Sequence, residues 1–194
     1  MRKIGKIIRL QIQPASLKSG QRPYQIYSPA NLLSLATIRL TPQGVVGLLP
    51  DGTEQVDVHH AAHPHSANRQ NNGVSVNFTS HYGRIRQRFG SHFMDGCAGE
   101  NILVETDENF SVDDLANGVM IVGKNGRATP LTQILVAAPC EPFSRYLLEM
   151  ASRAPADLMK QTLQFLDNGT RGYYASFDNS HSTVNVGDSL HIIE

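Results

Sequence analysis

Cys140 is the side chain of this sequence best suited to carry out chemistry. It follows an apolar run and Pro139, and it precedes a segment with the pattern of a helix. A thiolate at the end of a strand can ligate a soft metal or carry sulfur, because it is the nucleophilic form of the side chain. Free cysteines are also often buried and act only as small apolar residues. The neighbouring motifs must therefore decide between a functional and a structural thiol.

Two further segments carry residues suited to binding a ligand. Glu100 and Asn101 offer polar groups, and Gly99 before them permits a close backbone approach. Arg171 offers a bidentate guanidinium fork for an anion, and Gly172 follows it directly. A turn held by its own side chains explains the first segment about equally well, and a strand start explains the second.

A group of histidines suggests a metal site: His59, His60, His63 and His65. Imidazole is a common metal ligand, and Asp57 is close enough to support one of the rings. However, Pro64 interrupts the group, and adjacent histidines on a strand would face opposite sides. The pattern therefore favours an exposed or substrate-facing loop over a dedicated zinc or iron site.

The composition favours a single domain over residues 1–194, since a chain of this length can bury one sizeable core. The 17 basic and 17 acidic residues cancel, which argues against a nucleic-acid-binding protein that relies on net positive charge. No apolar stretch has the length of a signal peptide or a membrane span, so we expect a soluble, cytoplasmic protein without a membrane partner. Cys97 and Cys140 are too few for a disulfide framework.

The elements that must position these residues are mostly short strands. Alternating apolar residues and turn signals predict strands at 7–12, 35–40, 45–49, 74–78, 102–104, 119–122, 128–138 and 190–193. Helices are predicted from Ser80 as cap to Phe89, and at 143–152 and 155–167, while Gly187 and Asp188 predict a final hairpin turn. This pattern predicts a mainly β, single barrel with a few peripheral helices.

Six motifs occur in a characteristic order: Val46-Gly47-Leu48, Asp57-Val58-His59, Gly99-Glu100-Asn101-Ile102, Pro139-Cys140, Arg171-Gly172-Tyr173-Tyr174-Ala175 and Val184-Asn185-Val186-Gly187-Asp188. This succession resembles the MOSC domain, the C-terminal module of molybdenum cofactor sulfurases, which also occurs as small stand-alone bacterial proteins. The resemblance runs from about residue 4 to residue 193. The chain departs from it at Asn71-Asn72-Gly73, where family members commonly have His-Gly-Gly.

The resemblance implies a β-barrel similar to the barrel domain of pyruvate kinase, with a molybdenum cofactor (molybdopterin) at its mouth. It also implies that Cys140 is the catalytic residue and the molybdenum ligand, or that its thiol carries persulfide sulfur. The residues expected to bind the cofactor are His59, Gly99, Glu100, Asn101, Arg145, Arg171 and Gly172.

Three functions are compatible with this resemblance, and all use Cys140. The first is an oxidoreductase component that reduces small N-hydroxylated compounds with electrons from a separate reductase. The second is a sulfur carrier or sulfurtransferase that receives persulfide sulfur from a cysteine desulfurase. The third is a cofactor-binding module without turnover. In the first two, a separate donor protein is the expected partner.

Overall fold

The computed structural model describes residues 1–150 and 154–194. The strands are β1 (Arg2–Ile12), β2 (Lys18–Ser19), β3 (Ile26–Tyr27), β4 (Leu33–Leu35), β5 (Thr37–Thr41), β6 (Gly44–Leu48), β7 (Glu54–Val56), β8 (Val74–Phe78), β9 (Ile102–Glu105), β10 (Val119–Val122), β11 (Ala128–Val136), β12 (Tyr173–Ser176), β13 (Ser182–Asn185) and β14 (Ser189–Ile192). The helices are α1 (Thr79–Phe89), α2 (Glu141–Leu147) and α3 (Ala156–Leu166), and short 3₁₀ turns occupy Pro29–Asn31 and Asp113–Leu115.

Seven of these strands close into a barrel, in the order β1, β14, β10, β11, β12, β8 and β9, with β9 pairing back to β1. Only the β8–β9 pair in this ring is parallel. Apolar side chains such as Ile7, Val76, Ile102, Leu131 and Tyr173 fill the interior. The predicted mainly β barrel is therefore confirmed. No helix in the described ranges is long and apolar enough to cross a membrane.

A smaller sheet in the order β13, β5, β6 and β7 accompanies the barrel. Its arrangement corrects the expected final hairpin, because β13 pairs with β5 whereas β14 pairs with β10 and β1. The Gly187–Asp188 turn instead carries the chain from the small sheet into the barrel. Asp188 stabilises this turn by accepting hydrogen bonds from the backbone N–H groups of Asn185 (2.8 Å) and Lys124 (3.3 Å).

The helices follow the sequence pattern, but two of their starts differ from the prediction. The first helix begins directly after Phe78 and not at a Ser80 cap; Ser80 lies inside it and donates to the carbonyl of Glu108 (2.7 Å). The second begins two residues earlier than predicted and ends at Leu147. The last part of its predicted range, residues 151–152, lies outside the described residues. Pro155 is the N-cap of the third helix, close to its predicted role.

A second apolar cluster holds the helices against the outside of the barrel. Leu103 lies on β9 between two residues that fill the barrel, so strand alternation places its side chain on the outer face. There it belongs to a cluster with Tyr82 of α1, Phe143 and Leu147 of α2, and Leu166 of α3. This outer layer fixes the start of α2, and with it the position of Cys140.

Candidate functional site

A cavity of about 320 Å³ brings together segments that are far apart in sequence. Cys140, His59, Gly99 and Arg171 all line it, so four of the predicted site residues meet in one place. They come from the end of β11, the turn after β7, the loop before β9 and the start of β12. Cys140 is half-buried and also lines a neighbouring cavity.

The cavity lies on the outer wall of the barrel, which corrects the expected position at the barrel mouth. Ser75 of β8 and Tyr174 of β12 line it and are direct cross-strand partners. Their neighbours along the strands, including Val76 and Tyr173, fill the barrel interior. Because side chains alternate between the two faces of a strand, Ser75 and Tyr174 point outwards. The site is therefore enclosed between the barrel wall and the loops outside it.

The lining of the cavity is strongly positive. Lys18, Arg22, Arg69 and Arg171 line it, and no Asp or Glu is among its described lining residues. In the described part of the chain, none of the four cations lies within ion-pair distance of a carboxylate. Uncompensated positive charge in a concave site attracts anionic ligands. The charge of the cavity is thus suited to an anionic ligand.

Three of these cations were not predicted from the sequence: Lys18, Arg22 and Arg69. Lys18 and Arg22 belong to the β2–β3 hairpin, and Arg69 follows the histidine-containing turn. One sequence signal points to the first two, since Asp51 is the first acidic residue of the chain. All charged side chains in the first 50 residues are therefore basic, although the chain as a whole has a net charge of zero.

Arg171 is held in place by stacking. Its guanidinium carbon lies 4.9 Å from the ring centroid of Phe143, and its buried Nε has no hydrogen-bond partner among the described residues.

Gly172 does not line the cavity, but it allows the segment after Arg171 to pack closely against β8. Its φ is +106°, and an added Cβ would lie 3.0 Å from the carbonyl oxygen of Val76. A glycine is therefore required where β12 starts against β8.

His59 is oriented by a fully buried carboxylate. Its Nδ1 donates to Oδ1 of Asp57 (2.9 Å), and its backbone N–H donates to the same oxygen (2.8 Å). The other oxygen, Oδ2, accepts from the backbone N–H of Gln13 (2.7 Å) and from Nδ2 of Asn101 (3.1 Å). This pairing leaves Nε2 as the ring nitrogen available to a ligand in the cavity.

The other histidines are not in this cavity. His63 donates from Nε2 to the carbonyl of Pro14 (3.0 Å) and accepts at Nδ1 from the backbone N–H of His65. His60 accepts at Nδ1 from the backbone N–H of Ala62, and burial lowers its pKa. These bonds stabilise a turn in the segment for which the sequence pattern favoured a loop. In the described residues, no group of three or more His, Cys, Asp or Glu is arranged to hold a metal ion.

Glu100 and Asn101 lie behind the cavity and do not line it. Asn101 accepts at Oδ1 from the backbone N–H (3.0 Å) and hydroxyl (2.9 Å) of Ser75, which ties the 96–101 loop to β8. Glu100 accepts at Oε2 from the hydroxyl of Tyr82 (2.8 Å), while its buried Oε1 has no partner in the described chain. Burial raises the pKa of Glu100. Gly99, by contrast, lines the cavity with φ of +84°.

Arg145 and Cys97 also lie away from this cavity. Arg145 is on α2, donates to the carbonyl of Gln25 and lines a separate cavity between α2 and α3. Cys97 is buried in the outer apolar cluster, and burial raises the pKa of its thiol to about 12. Cys140 is therefore the thiol that a ligand in the positive cavity can reach.

Comparison with known proteins identifies the family. The model of the MOSC domain matches residues 58–191, which is more than half of the chain. Among solved structures, the YuaD protein from Bacillus subtilis is 14% identical with a TM-score of 0.57, over 98% of this chain and 97% of that one. YiiM from Geobacillus stearothermophilus is 16% identical with a TM-score of 0.54, over 97% and 75%. No curated protein matches the chain. The match over the region that carries His59, Cys140 and Arg171 shows that this chain belongs to the MOSC domain family.

Proposed function

We propose that the Cys140 cavity binds a molybdenum cofactor and that the protein is the oxidoreductase component of a system that reduces N-hydroxylated compounds. Family membership indicates a function related to the molybdenum cofactor. The observation that carries the finer proposal is the pairing of one accessible thiol with four uncompensated cations in a single cavity. This combination suits a ligand that has both a soft metal and an anionic group.

The residues present fit such a cofactor. A molybdopterin carries a phosphate, which Arg171, Arg69 and Lys18 would bind, and Arg171 has an unused buried donor at Nε. The thiolate of Cys140 would be the protein ligand to molybdenum. Gly99 lets the cavity-lining side chains of Leu17 and Gln13 pack against its backbone, since an added Cβ would lie 2.8 Å from Cδ1 of Leu17 and 2.9 Å from Nε2 of Gln13.

The reduction of R–NHOH to R–NH₂ and water consumes two electrons and two protons. The cofactor, when bound, supplies the two-electron redox chemistry, and a separate reductase supplies the electrons. His59, whose Nδ1 is held by Asp57, would deliver one proton from Nε2 to the departing hydroxyl, and solvent would supply the second proton and reprotonate the ring. Arg171 and the barrel wall would orient the cofactor and limit the access of water.

One observation supports a sulfur carrier as the second candidate. Cys140 is half-buried and lines two adjoining cavities, so its thiolate is accessible from more than one side. In that function the Cys140 thiolate attacks the outer sulfur of a desulfurase persulfide. Cys140 gains the persulfide, and the desulfurase thiolate is released.

The test uses protein produced in a molybdenum-replete host, with Cys140→Ser compared against Cys97→Ala as the matched control. We expect stoichiometric molybdenum, pterin fluorescence and reduction of N-hydroxylaminopurine by a reduced chemical donor in the wild type and the control. Cys140→Ser is expected to lose molybdenum and turnover while keeping its fold. A persulfide on Cys140 without metal would support the carrier instead. A fully active Cys140→Ser protein would contradict both proposals.

A further inference from the structure

A second and larger cavity, of about 590 Å³, adjoins the Cys140 site. It lies between α2, α3 and the loop that joins β2 to β3, and it shares Pro139 with the positive cavity. A smaller cavity of about 270 Å³ adjoins both, because it shares Cys140, Lys18 and Arg22 with the positive cavity and Pro23 and Glu141 with the larger one. Cys140 lines the positive cavity and the smaller one, and its neighbours Pro139 and Glu141 line the larger one.

Seven of the twelve residues that line this α2–α3 cavity are apolar or aromatic, and the other five are charged or amide side chains. Tyr24, Met159 and Leu163 line it together with prolines and alanines. Charged side chains are also present: Glu141, Lys160 and Asp167 belong to its lining and are exposed to solvent. A concave, mainly apolar site with a few polar groups is the usual form of a small-molecule site.

One charged side chain of this cavity is buried. Arg145 is 6% exposed, and its one side-chain hydrogen bond in the described chain goes to the carbonyl of Gln25. No described carboxylate lies within ion-pair distance of it. Buried guanidinium groups are normally paired, because an unpaired buried charge is costly. The guanidinium lines the cavity and has no described carboxylate partner, so a carboxylate that enters the cavity can pair with it.

We propose that the α2–α3 cavity is the substrate-binding subsite of the Cys140 site, and that it accepts a small molecule with an apolar body and a carboxylate that pairs with Arg145. The apolar body would lie against Met159 and Leu163, which places the remaining end of the molecule towards Cys140. That the bound molecule is a substrate rests on the proposed function. The binding of its carboxylate to Arg145 can be measured without turnover.

The test measures the binding of 3-phenylpropionate and of its neutral isostere 3-phenylpropionamide by isothermal titration. We expect the carboxylate to bind at least about tenfold more tightly, which is the discrimination of one charge-assisted contact. Arg145→Met should abolish this preference. Arg127→Met is the matched control, since Arg127 also donates to a backbone carbonyl, that of His181, but is exposed and far from the cavity lining. Bound 3-phenylpropionate should also slow the alkylation of Cys140 by iodoacetamide.

A second variant keeps the test decisive if Arg145→Met fails to fold. Ala156→Trp places a large ring in the cavity from an exposed position at the start of α3, so it should block both probes without disturbing the core. Equal binding of acid and amide, no binding of either, or unchanged binding in Ala156→Trp would overturn the proposal. Molybdenum is measured on the same samples. Binding without molybdenum refutes only the proposed function, and molybdenum without binding refutes only the subsite.

Discussion

Replacing Asp57 by Asn tests whether one buried carboxylate holds the site together. Asp57 is fully buried and accepts four hydrogen bonds, from the backbone and ring of His59, the backbone of Gln13 and the side chain of Asn101. These partners belong to three different segments that line or support the cavity. An asparagine has nearly the same shape, but it offers one acceptor oxygen where aspartate offers two.

The expected loss of stability in Asp57→Asn follows from the hydrogen-bond donors that lose their acceptor. Whichever way the amide is oriented, its NH₂ faces a buried backbone N–H, either that of Gln13 or that of His59. A hydrogen bond to a charged group contributes about 1.5–3 kcal/mol, and a buried donor without an acceptor carries a similar penalty. Removal of the buried charge offsets part of this loss. We therefore expect the free energy of unfolding to fall by about 3 kcal/mol.

The measurement is urea unfolding of the wild type, Asp57→Asn and Asp51→Asn. Asp51 is the matched control because its Oδ1 also accepts two hydrogen bonds, both from Thr53, but in an exposed turn. The control should change stability far less. Asp57→Asn should also lose bound molybdenum, since His59 and the 96–101 loop lose their common anchor. If it unfolds at the same urea concentration as the control, the carboxylate does not organise the site.

Two further predictions use the thiols and the buried acid. Native protein treated with iodoacetamide at neutral pH should be modified at Cys140 and not at Cys97, because burial raises the pKa of the Cys97 thiol to about 12. Peptide mass spectrometry measures the modification of each cysteine. Modification of Cys97 at a rate comparable to that of Cys140 would contradict the prediction. Burial raises the pKa of Glu100, so its contribution to stability is present below the ordinary glutamate pKa and is lost as pH rises through the folded value. Glu100→Gln should therefore gain stability relative to wild type as the pH rises above the ordinary glutamate pKa, and a pH-independent difference in urea unfolding would refute this assignment.

The amino-acid sequence by itself determined the class of fold and pointed to Cys140 as the candidate reactive residue. Alternating apolar residues and turn signals are local properties, so they were sufficient to predict most barrel strands and α3. The order of short motifs was sufficient to indicate the family and to single out Cys140. The helix start at Ser80 was wrong because Ser80 bonds to Glu108, a residue distant in sequence, and does not cap its own helix.

The tertiary structure decided which residues share the site. Strand alternation, combined with the closure of the barrel, places Ser75 and Tyr174 on the outer wall, so the cavity is not at the barrel mouth. The same closure turns Glu100 and Asn101 towards the protein interior, although they adjoin Gly99 in the chain. Arg145 was likewise expected to bind the cofactor beside Cys140, yet the direction of α2 places it in the neighbouring cavity.

The positive charge of the cavity also depends on tertiary structure. Lys18 and Arg22 are on the N-terminal hairpin and Arg69 follows the histidine-containing turn, so they reach Arg171 only when these loops fold over the barrel wall. The net charge of zero does not reveal such a cluster, because it is a sum over the whole chain and does not depend on which charged residues lie close together after folding. The sequence thus specifies the thiol, whereas the packing of loops on the barrel decides which charges surround it.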